Sequence, residues 1–116
     1  MLLTIDAASS VPLFEQLAAG IRSHIVTGTV SAGQRLPAAR ELAESLDVNV
    51  HTVLHAYQLL RDEGFVDLRR GRGAVVTSRA HDYVQLMRDI DRVVQEARRL
   101  ELTPGALGAL IREAYQ

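Results

Sequence analysis

The chain has 116 residues, 47% of them apolar, and a formal net charge of −1, which fits one compact folded domain or a small domain with an appendage. The absence of cysteine excludes a disulfide scaffold and a Cys-ligated zinc site, and no apolar run approaches the roughly 18 residues of a membrane span. The amino terminus carries no basic segment ahead of an apolar core, so we expect a cytoplasmic protein without an export signal or a membrane partner.

The first predicted helix lies within SSVPLFEQLAAGIRSHIVTG. Ser10 is a suitable cap and Pro12 fits the first turn, whereas Gly28 fits the end of the helix. The apolar residues recur with helical spacing and form one wide buried face: Leu13, Leu17, Ile21 and Ile25, flanked by Phe14, Ala18 and Val26. The letters that follow, TVSAGQRLP, predict a loop with a turn at Gly33.

A tight corner joins the next two predicted helices. Pro37 is expected to start a short helix that buries Ala39, Leu42, Ala43 and Leu46. The letters DVN form the corner, and Asn49 is a suitable N-cap for a third helix over about residues 50–63, closed by Gly64. Its buried residues are spaced i, i+3, i+4 and i+7: Val53, Ala56, Tyr57 and Leu60.

The letters FVDLRRGRGAVVTS predict a short hairpin, because apolar residues flank the glycine-rich turn RRGRG. Three helices followed by a two-stranded wing make a winged helix-turn-helix, in which the second helix of the turn lies in the DNA major groove. We therefore expect a mostly α fold, with a winged helix-turn-helix DNA-binding domain over residues 1–79.

Residues 80–116 predict a two-helix appendage, one long helix and then a short one with Thr103 as cap and Pro104 in its first turn. Their apolar stripes are too broad to be hidden by two helices alone. A second copy of the chain is the simplest partner, so we expect a homodimer; folding back onto residues 1–79 is the alternative. The predicted interface residues are Met87, Ile90, Val94, Leu107, Leu110 and Ile111.

The candidate DNA contacts lie on the outer face of the third helix, at the start of the second and at the wing tip. They are Arg40, Asn49, His51, Thr52, His55, Arg70, Arg72 and Gly73. Leu54 also lies outside the core row, where an apolar side chain suits a thymine methyl group. All thirteen basic residues of the chain are arginine, whose planar fork suits phosphates and guanine edges and reads narrow minor grooves.

The pattern of these segments resembles the amino-terminal domain of the GntR family of bacterial transcription regulators. The matching letters are GQRLPAARELAESLDV, TVLHAYQLLRDEG and GRGAVV, and the letters VN, AY and the short tail are similar to the YtrA-like branch. The resemblance implies that Arg40 lies near the DNA backbone, Asn49 opens the third helix and Thr52 lies at the groove. It also implies that Arg72 and Gly73 form the wing tip.

Five positions depart from the family pattern: Ala38, Val50, His51, Leu54 and His55. Ala38 stands where the family usually has a capping serine, and this loss costs about 1 kcal/mol of helix stability. His55 stands where Arg or Lys is common, which predicts a weaker attraction to phosphate or a different operator. A histidine contributes charge there only when it is protonated.

We expect a homodimeric regulator, most simply a repressor, that binds an inverted-repeat operator in double-stranded DNA and needs no cofactor. No nucleophile–base pair, phosphate loop or carboxylate cluster suggests an enzyme. His51 and His55 are spaced i, i+4 and can meet one metal ion, but no third ligand is evident, so no metal site is expected. A regulator that senses a metal or a small-molecule effector, and a winged helix that binds protein instead of DNA, are the remaining alternatives.

Overall fold

The computed structural model describes all 116 residues. Its elements in chain order are α1 (Leu13–Val26), α2 (Ala39–Leu46), α3 (Val50–Asp62), β1 (Val66–Arg69), β2 (Gly73–Val76), a short 3-10 helix (Ser78–His81), α4 (Asp82–Arg99) and α5 (Pro104–Ala114). The order of three helices and a hairpin confirms the predicted winged helix-turn-helix. The chain forms two compact units, Met1–Val84 and Gln85–Gln116, whose boundary differs slightly from the predicted one after residue 79.

The core of the first unit lies between α1, α3 and the hairpin. The larger side chains that are almost wholly buried are Leu17, Ile21 and Ile25 from α1, Val53 and Leu60 from α3, and Val66 and Val76 from the strands. Ala56 and Tyr57 are buried as well, so the predicted core face of the third helix is confirmed. Burying a side chain of this size stabilises the fold by about 1.5–3 kcal/mol, and this core fixes the direction of the outer face of α3.

The starts of α1 and α2 differ from the prediction. Pro12, not Ser10, is the residue before α1, because its carbonyl oxygen accepts the first helical hydrogen bonds. The nearby Ser9 hydroxyl instead accepts a bond from Val11 N–H at 3.1 Å, in a local turn. Pro37 does not start α2: Ala38 is the N-cap, without any side-chain cap, and the helix begins at Ala39.

Burial along α2 is also narrower than predicted. Leu42 and Ala43 are buried, whereas Ala39 and Leu46 are only half-buried because they lie near the two ends of a helix of eight residues. This short helix therefore contributes little to the core and keeps most of its length at the surface.

Two hydrogen bonds fix the helix-turn-helix at its two ends. At the corner, Asp47 takes a left-handed conformation with φ of 56°, and Val48 N–H donates to the Ala43 carbonyl at 3.0 Å. At the far end, the buried hydroxyl of Tyr57 donates to the carbonyl of Pro37 at 2.6 Å, and burial raises the pKa of this phenol. The two helices are consequently held at a fixed angle to one another.

The hairpin pairs β1 and β2 antiparallel, with Val66 opposite Val76 and Arg69 opposite Gly73. Arg72 N–H donates to the Arg69 carbonyl at 3.0 Å and closes the turn. Gly73 has a φ of 71°, a left-handed conformation that favours glycine at this position. The predicted RRGRG turn is therefore the tip of the wing.

A third segment pairs with the other edge of β2. Val76 N–H donates to the Gln34 carbonyl at 2.9 Å, and Leu36 N–H donates to the Ala74 carbonyl at 2.8 Å. The sequence predicts a loop here, because the three residues between Gly33 and Pro37 are too few to show a strand period. The pairing ties the start of α2 to the base of the wing.

The second unit consists of α4 beyond Val84 and of α5. The hydroxyl of Thr103 accepts a bond from Ala106 N–H at 3.2 Å, which confirms the predicted cap. Ala97 is buried, whereas most larger apolar side chains are exposed: Leu86, Ile90, Val93, Leu100, Leu110 and Ile111. The other predicted interface residues, Met87, Val94 and Leu107, are half-buried. None of the helices in the chain combines the length and the apolar character that crossing a membrane requires.

Candidate nucleic-acid interface

The outer face of α3 carries side chains that the fold itself does not use. His51 and His55 are exposed and Thr52 is half-buried. Their side chains form no hydrogen bond or ion pair within the chain, although the backbone N–H of His51 is bonded. Groups of this type, with free donors and acceptors, are those that recognise base edges and phosphate oxygens.

Asn49 holds the first turn of α3 in place. Its side-chain oxygen accepts the N–H of His51 at 2.8 Å, which confirms the predicted N-cap. The oxygen is therefore occupied, and only the amide N–H₂ group of Asn49 is left for an outside acceptor. No acidic residue lies in the first turn of α3, so the positive end of the helix dipole is not neutralised there.

His55 is more constrained than the sequence indicates. Its imidazole stacks on the ring of Phe14 from α1, with ring centroids 3.7 Å apart and planes 10° apart. One face of the imidazole is covered, while the residue as a whole stays exposed. Sequence reasoning assigned Phe14 to the side of a buried helical face, and no spacing rule connects residues on two separate helices.

An apolar flank lies beside the polar one on α3. Leu54 is 40% exposed and Leu68 of β1 is 38% exposed, and both line a groove of about 410 Å³ between α3 and the wing. Gln58 lies at the rim, and Tyr57 contributes to the lining with its hydroxyl already bonded to Pro37. The sequence singled out Leu54 but not Leu68, because a strand of four residues does not show which side is covered.

The three arginines of the wing are not equivalent. Arg69 pairs with Asp67 at 3.4 Å on the same strand. Arg70 and Arg72 are exposed and form no ion pair, and Gly73 next to them is exposed as well. The wing tip therefore presents two unneutralised guanidinium groups on a turn that can approach a nucleic-acid backbone closely.

Arg40 supplies one more free cation at the beginning of α2. It is the second residue of that helix, is exposed and takes part in no salt bridge. Ala38 leaves the helix end without a side-chain cap, as its identity predicts. Arg40 is the only one of the eight candidate contacts on α2; the others lie on α3, at its N-cap or at the wing tip.

The histidines do not form part of a larger ligand set. No group of three or more His, Cys, Asp or Glu side chains in the chain is arranged to hold a metal ion. His51 and His55 line one shallow concavity together with Leu13, Phe14 and Thr52, which supplies no further metal ligand of the usual kinds.

Comparison with known proteins identifies this arrangement. Residues 13–76, from the first residue of α1 to the last of β2, match the family described as bacterial regulatory proteins, gntR family. The chain belongs to the gntR family. Members of this family are DNA-binding transcription regulators and not enzymes, so the regulatory class and the absence of an enzyme activity agree with the expectations from the sequence.

Several relatives of this gntR-family regulator carry the YtrA name or share its size. The HTH-type transcriptional repressor YtrA of Bacillus subtilis is 35% identical over 79 residues, which is 68% of this chain and 61% of that protein. The structure of YtrA from Sulfolobus acidocaldarius, a GntR-family transcription factor, is 37% identical, with a TM-score of 0.63 over 78% of this chain and 99% of that one. A GntR-family regulator from Listeria monocytogenes is 31% identical, with a TM-score of 0.65 over 94% and 98% of the two chains. The similarity to YtrA-type regulators agrees with the resemblance seen in the sequence.

Other relatives are longer than this chain. The HTH-type transcriptional repressor STM4068 of Salmonella typhimurium is 33% identical over 108 residues, which is 86% of this chain and 45% of that protein. The chain thus spans about half of some curated relatives and 61% of the Bacillus repressor.

Proposed function

We propose that this gntR-family regulator is a homodimeric repressor that binds an inverted-repeat operator. Helix α3 enters the major groove, and the tip of the wing approaches the adjacent backbone or minor groove. Arg40, Arg70 and Arg72 set the register through phosphates, and the side chains on the first two turns of α3 choose the sequence.

The observation that carries this proposal is the set of unused polar groups on α3 and at the tip of the wing. The side chains of His51, Thr52 and His55, and the guanidinium groups of Arg70 and Arg72, have no hydrogen-bond or ion-pair partner in the chain. Arg69, on the same hairpin, differs because it pairs with Asp67. A surface that leaves five such groups free fits a polyanionic partner.

The homodimer is supported by the apolar surface of the second unit. Ile90 is 41% exposed, Leu110 54% and Ile111 47%, and together with Leu86 and Val93 they form an uncovered apolar surface. A monomeric protein rarely exposes a large contiguous apolar patch. A twofold pair of these surfaces covers both copies at once. Dimers of helix-turn-helix proteins bind half-sites about one helical turn apart, which is the spacing we expect for the operator.

The repressor role rests on the names of relatives. YtrA of Bacillus subtilis and STM4068 of Salmonella typhimurium are both described as transcriptional repressors. Repression by this chain follows if its operator overlaps a promoter. We place the protein in the cytoplasm, where a DNA-binding regulator acts.

The test is a measurement of operator affinity against salt concentration. The wild-type protein is used to select duplexes from a random pool, and the recovered operator is bound at several salt concentrations. We expect the Arg72→Ala variant to bind every duplex more weakly and to reduce the slope of log affinity against log salt by about 1 per phosphate contact removed. Arg112→Ala, which lies on α5, is the matched control and should leave the slope unchanged.

Two results would contradict the proposal. If the wild-type protein recovers no duplex at low salt, DNA binding by this chain is wrong. If sedimentation shows a monomer that still binds a single half-site with full affinity, the homodimer and the inverted repeat are wrong while DNA binding stands.

A further inference from the structure

The structure contains an aromatic contact that crosses from α1 to the reading helix. Phe14 is half-buried near the start of α1, and its ring lies flat against His55 in the middle of α3. The ring centroids are 3.7 Å apart and the planes only 10° apart, so the phenyl ring covers one face of the imidazole and restricts how it can rotate.

The contact leaves the polar edge of His55 available. Neither ring nitrogen is hydrogen-bonded within the chain, and His55 is exposed. The neighbouring polar groups, His51 and Thr52, line the same concavity as Phe14. The covered part of the imidazole is therefore its apolar face, and the part that can donate or accept a hydrogen bond remains at the surface.

We infer that Phe14 is a positioning residue for operator recognition: its ring holds the His55 imidazole in the orientation in which it reads DNA. This inference rests on the proposed function. A free histidine on a helix samples several rotamers and must be ordered on binding, whereas a stacked one is ordered beforehand. Preordering one side chain is worth about 2- to 10-fold in affinity.

The same contact distinguishes two kinds of aromatic pair in the first unit. Phe65 packs on Tyr83 with centroids 4.5 Å apart and planes tilted by 33°, and Phe65 is buried in the core. Phe14 instead touches a residue on the outer face of α3. Phe65→Leu is thus a matched control for the loss of a phenyl ring that affects stability alone.

The experiment is a double-mutant cycle on the full chain, with the operator that the wild-type protein selects from random duplexes. We expect Phe14→Leu to lower operator affinity about 3- to 10-fold and His55→Ala to lower it about 10-fold. The double variant should bind no more weakly than His55→Ala alone, because Phe14 acts through His55. Phe14→Tyr keeps the stack and should stay within about 2-fold of the wild type.

Two further readouts separate positioning from general stability. The loss in Phe14→Leu should be confined to one base-pair position in each half-site, whereas a less stable domain would weaken binding to all sequences alike. Phe65→Leu should lower the melting temperature while leaving base preference unchanged at temperatures where the protein is folded. In proton NMR spectra, the ring signals of His55 should move on Phe14→Leu, because the phenyl ring current is lost.

The outcomes are distinct. Three results would overturn the inference while DNA binding stands. Phe14→Leu could bind the operator with wild-type affinity, or His55→Ala could leave operator affinity unchanged. Phe14→Leu could also lower operator affinity by the same factor whether residue 55 is His or Ala. If the wild-type protein selects no duplex, the proposed function fails and the inference fails with it.

Discussion

The two units of the chain use their apolar side chains in opposite ways. In Met1–Val84 the core positions of α1 and α3 are almost wholly buried, whereas in Gln85–Gln116 only Ala97 is buried and residues such as Ile90 and Ile111 are exposed. The first unit thus completes a core within one chain, although Leu54 and Leu68 remain exposed beside it. The second unit leaves most of its large apolar side chains exposed, and this difference is why we propose that the second unit, not the first, carries the dimer contact.

The largest expected effect is on the core of the first unit. Leu60→Ala removes a fully buried side chain of α3 and should lower the free energy of unfolding by about 2–5 kcal/mol. Leu100→Ala, at a position that is 61% exposed, should change it by less than about 0.5 kcal/mol if no partner covers it. Urea denaturation monitored by circular dichroism measures both. If both variants lost a similar free energy of unfolding at low protein concentration, the two units would not differ in how they bury their apolar side chains.

The second effect concerns assembly. Ile90→Asp places a charge in the exposed apolar surface of α4. A symmetric dimer would contain this charge twice, so the change should weaken association by about 100-fold. Gln95→Glu adds the same charge at an exposed polar position on the same helix and should leave association unchanged. Sedimentation over a range of concentrations distinguishes these results. A dimer that persists in Ile90→Asp would show that another surface joins the copies.

A smaller effect is expected at the start of the reading helix. Asn49→Ala removes the acceptor for His51 N–H and should destabilise the first unit by about 1 kcal/mol. Asn49→Ser retains a capping oxygen and should recover most of that loss. Thermal melting reports the difference, and equal melting temperatures for the alanine and serine variants would contradict the role of the cap.

The smallest expected effect is a gain in the stability of the first unit. Ala38 is exposed, has the extended backbone of an N-cap and makes no side-chain cap bond. Ala38→Ser should stabilise the first unit by about 0.5–1 kcal/mol because the hydroxyl can accept one of the free N–H groups of α2. Ala39→Ser, one residue further on, is the control and should not stabilise. A gain in the control but not in Ala38→Ser would show that the cap geometry is wrong.

The sequence predicts those parts of the fold that depend on local period and turn chemistry. The spacing of Val53, Ala56, Tyr57 and Leu60 gives the buried face of α3, and Asn49 and Thr103 are the caps that their residue types suggest. The starts of α1 and α2 were misplaced because a proline fits several positions near a helix start.

The parts that were missed depend on contacts between distant segments. Residues Gln34–Leu36 pair with β2 because β2, some forty residues later in the chain, packs beside them; the local sequence of this segment does not indicate a strand. The stack of Phe14 on His55 joins two helices that are far apart in sequence. The eight candidate contacts remain predictions. The structure adds that Arg70 and Arg72 form no ion pair, that the side-chain oxygen of Asn49 accepts a hydrogen bond, and that His55 stacks on Phe14.

The bond between Tyr57 and Pro37 bears on how such a protein can be regulated. Together with the bond from Val48 N–H to the Ala43 carbonyl at the corner, it ties α2 to α3 at two places, so we expect the helix-turn-helix motif to resist bending. Bending the motif would break this part-buried hydrogen bond, and a weak signal does not easily supply the free energy for that. In the homodimer proposed above, we therefore expect a signal to act more readily by changing the distance between the two motifs than by changing the shape of either one.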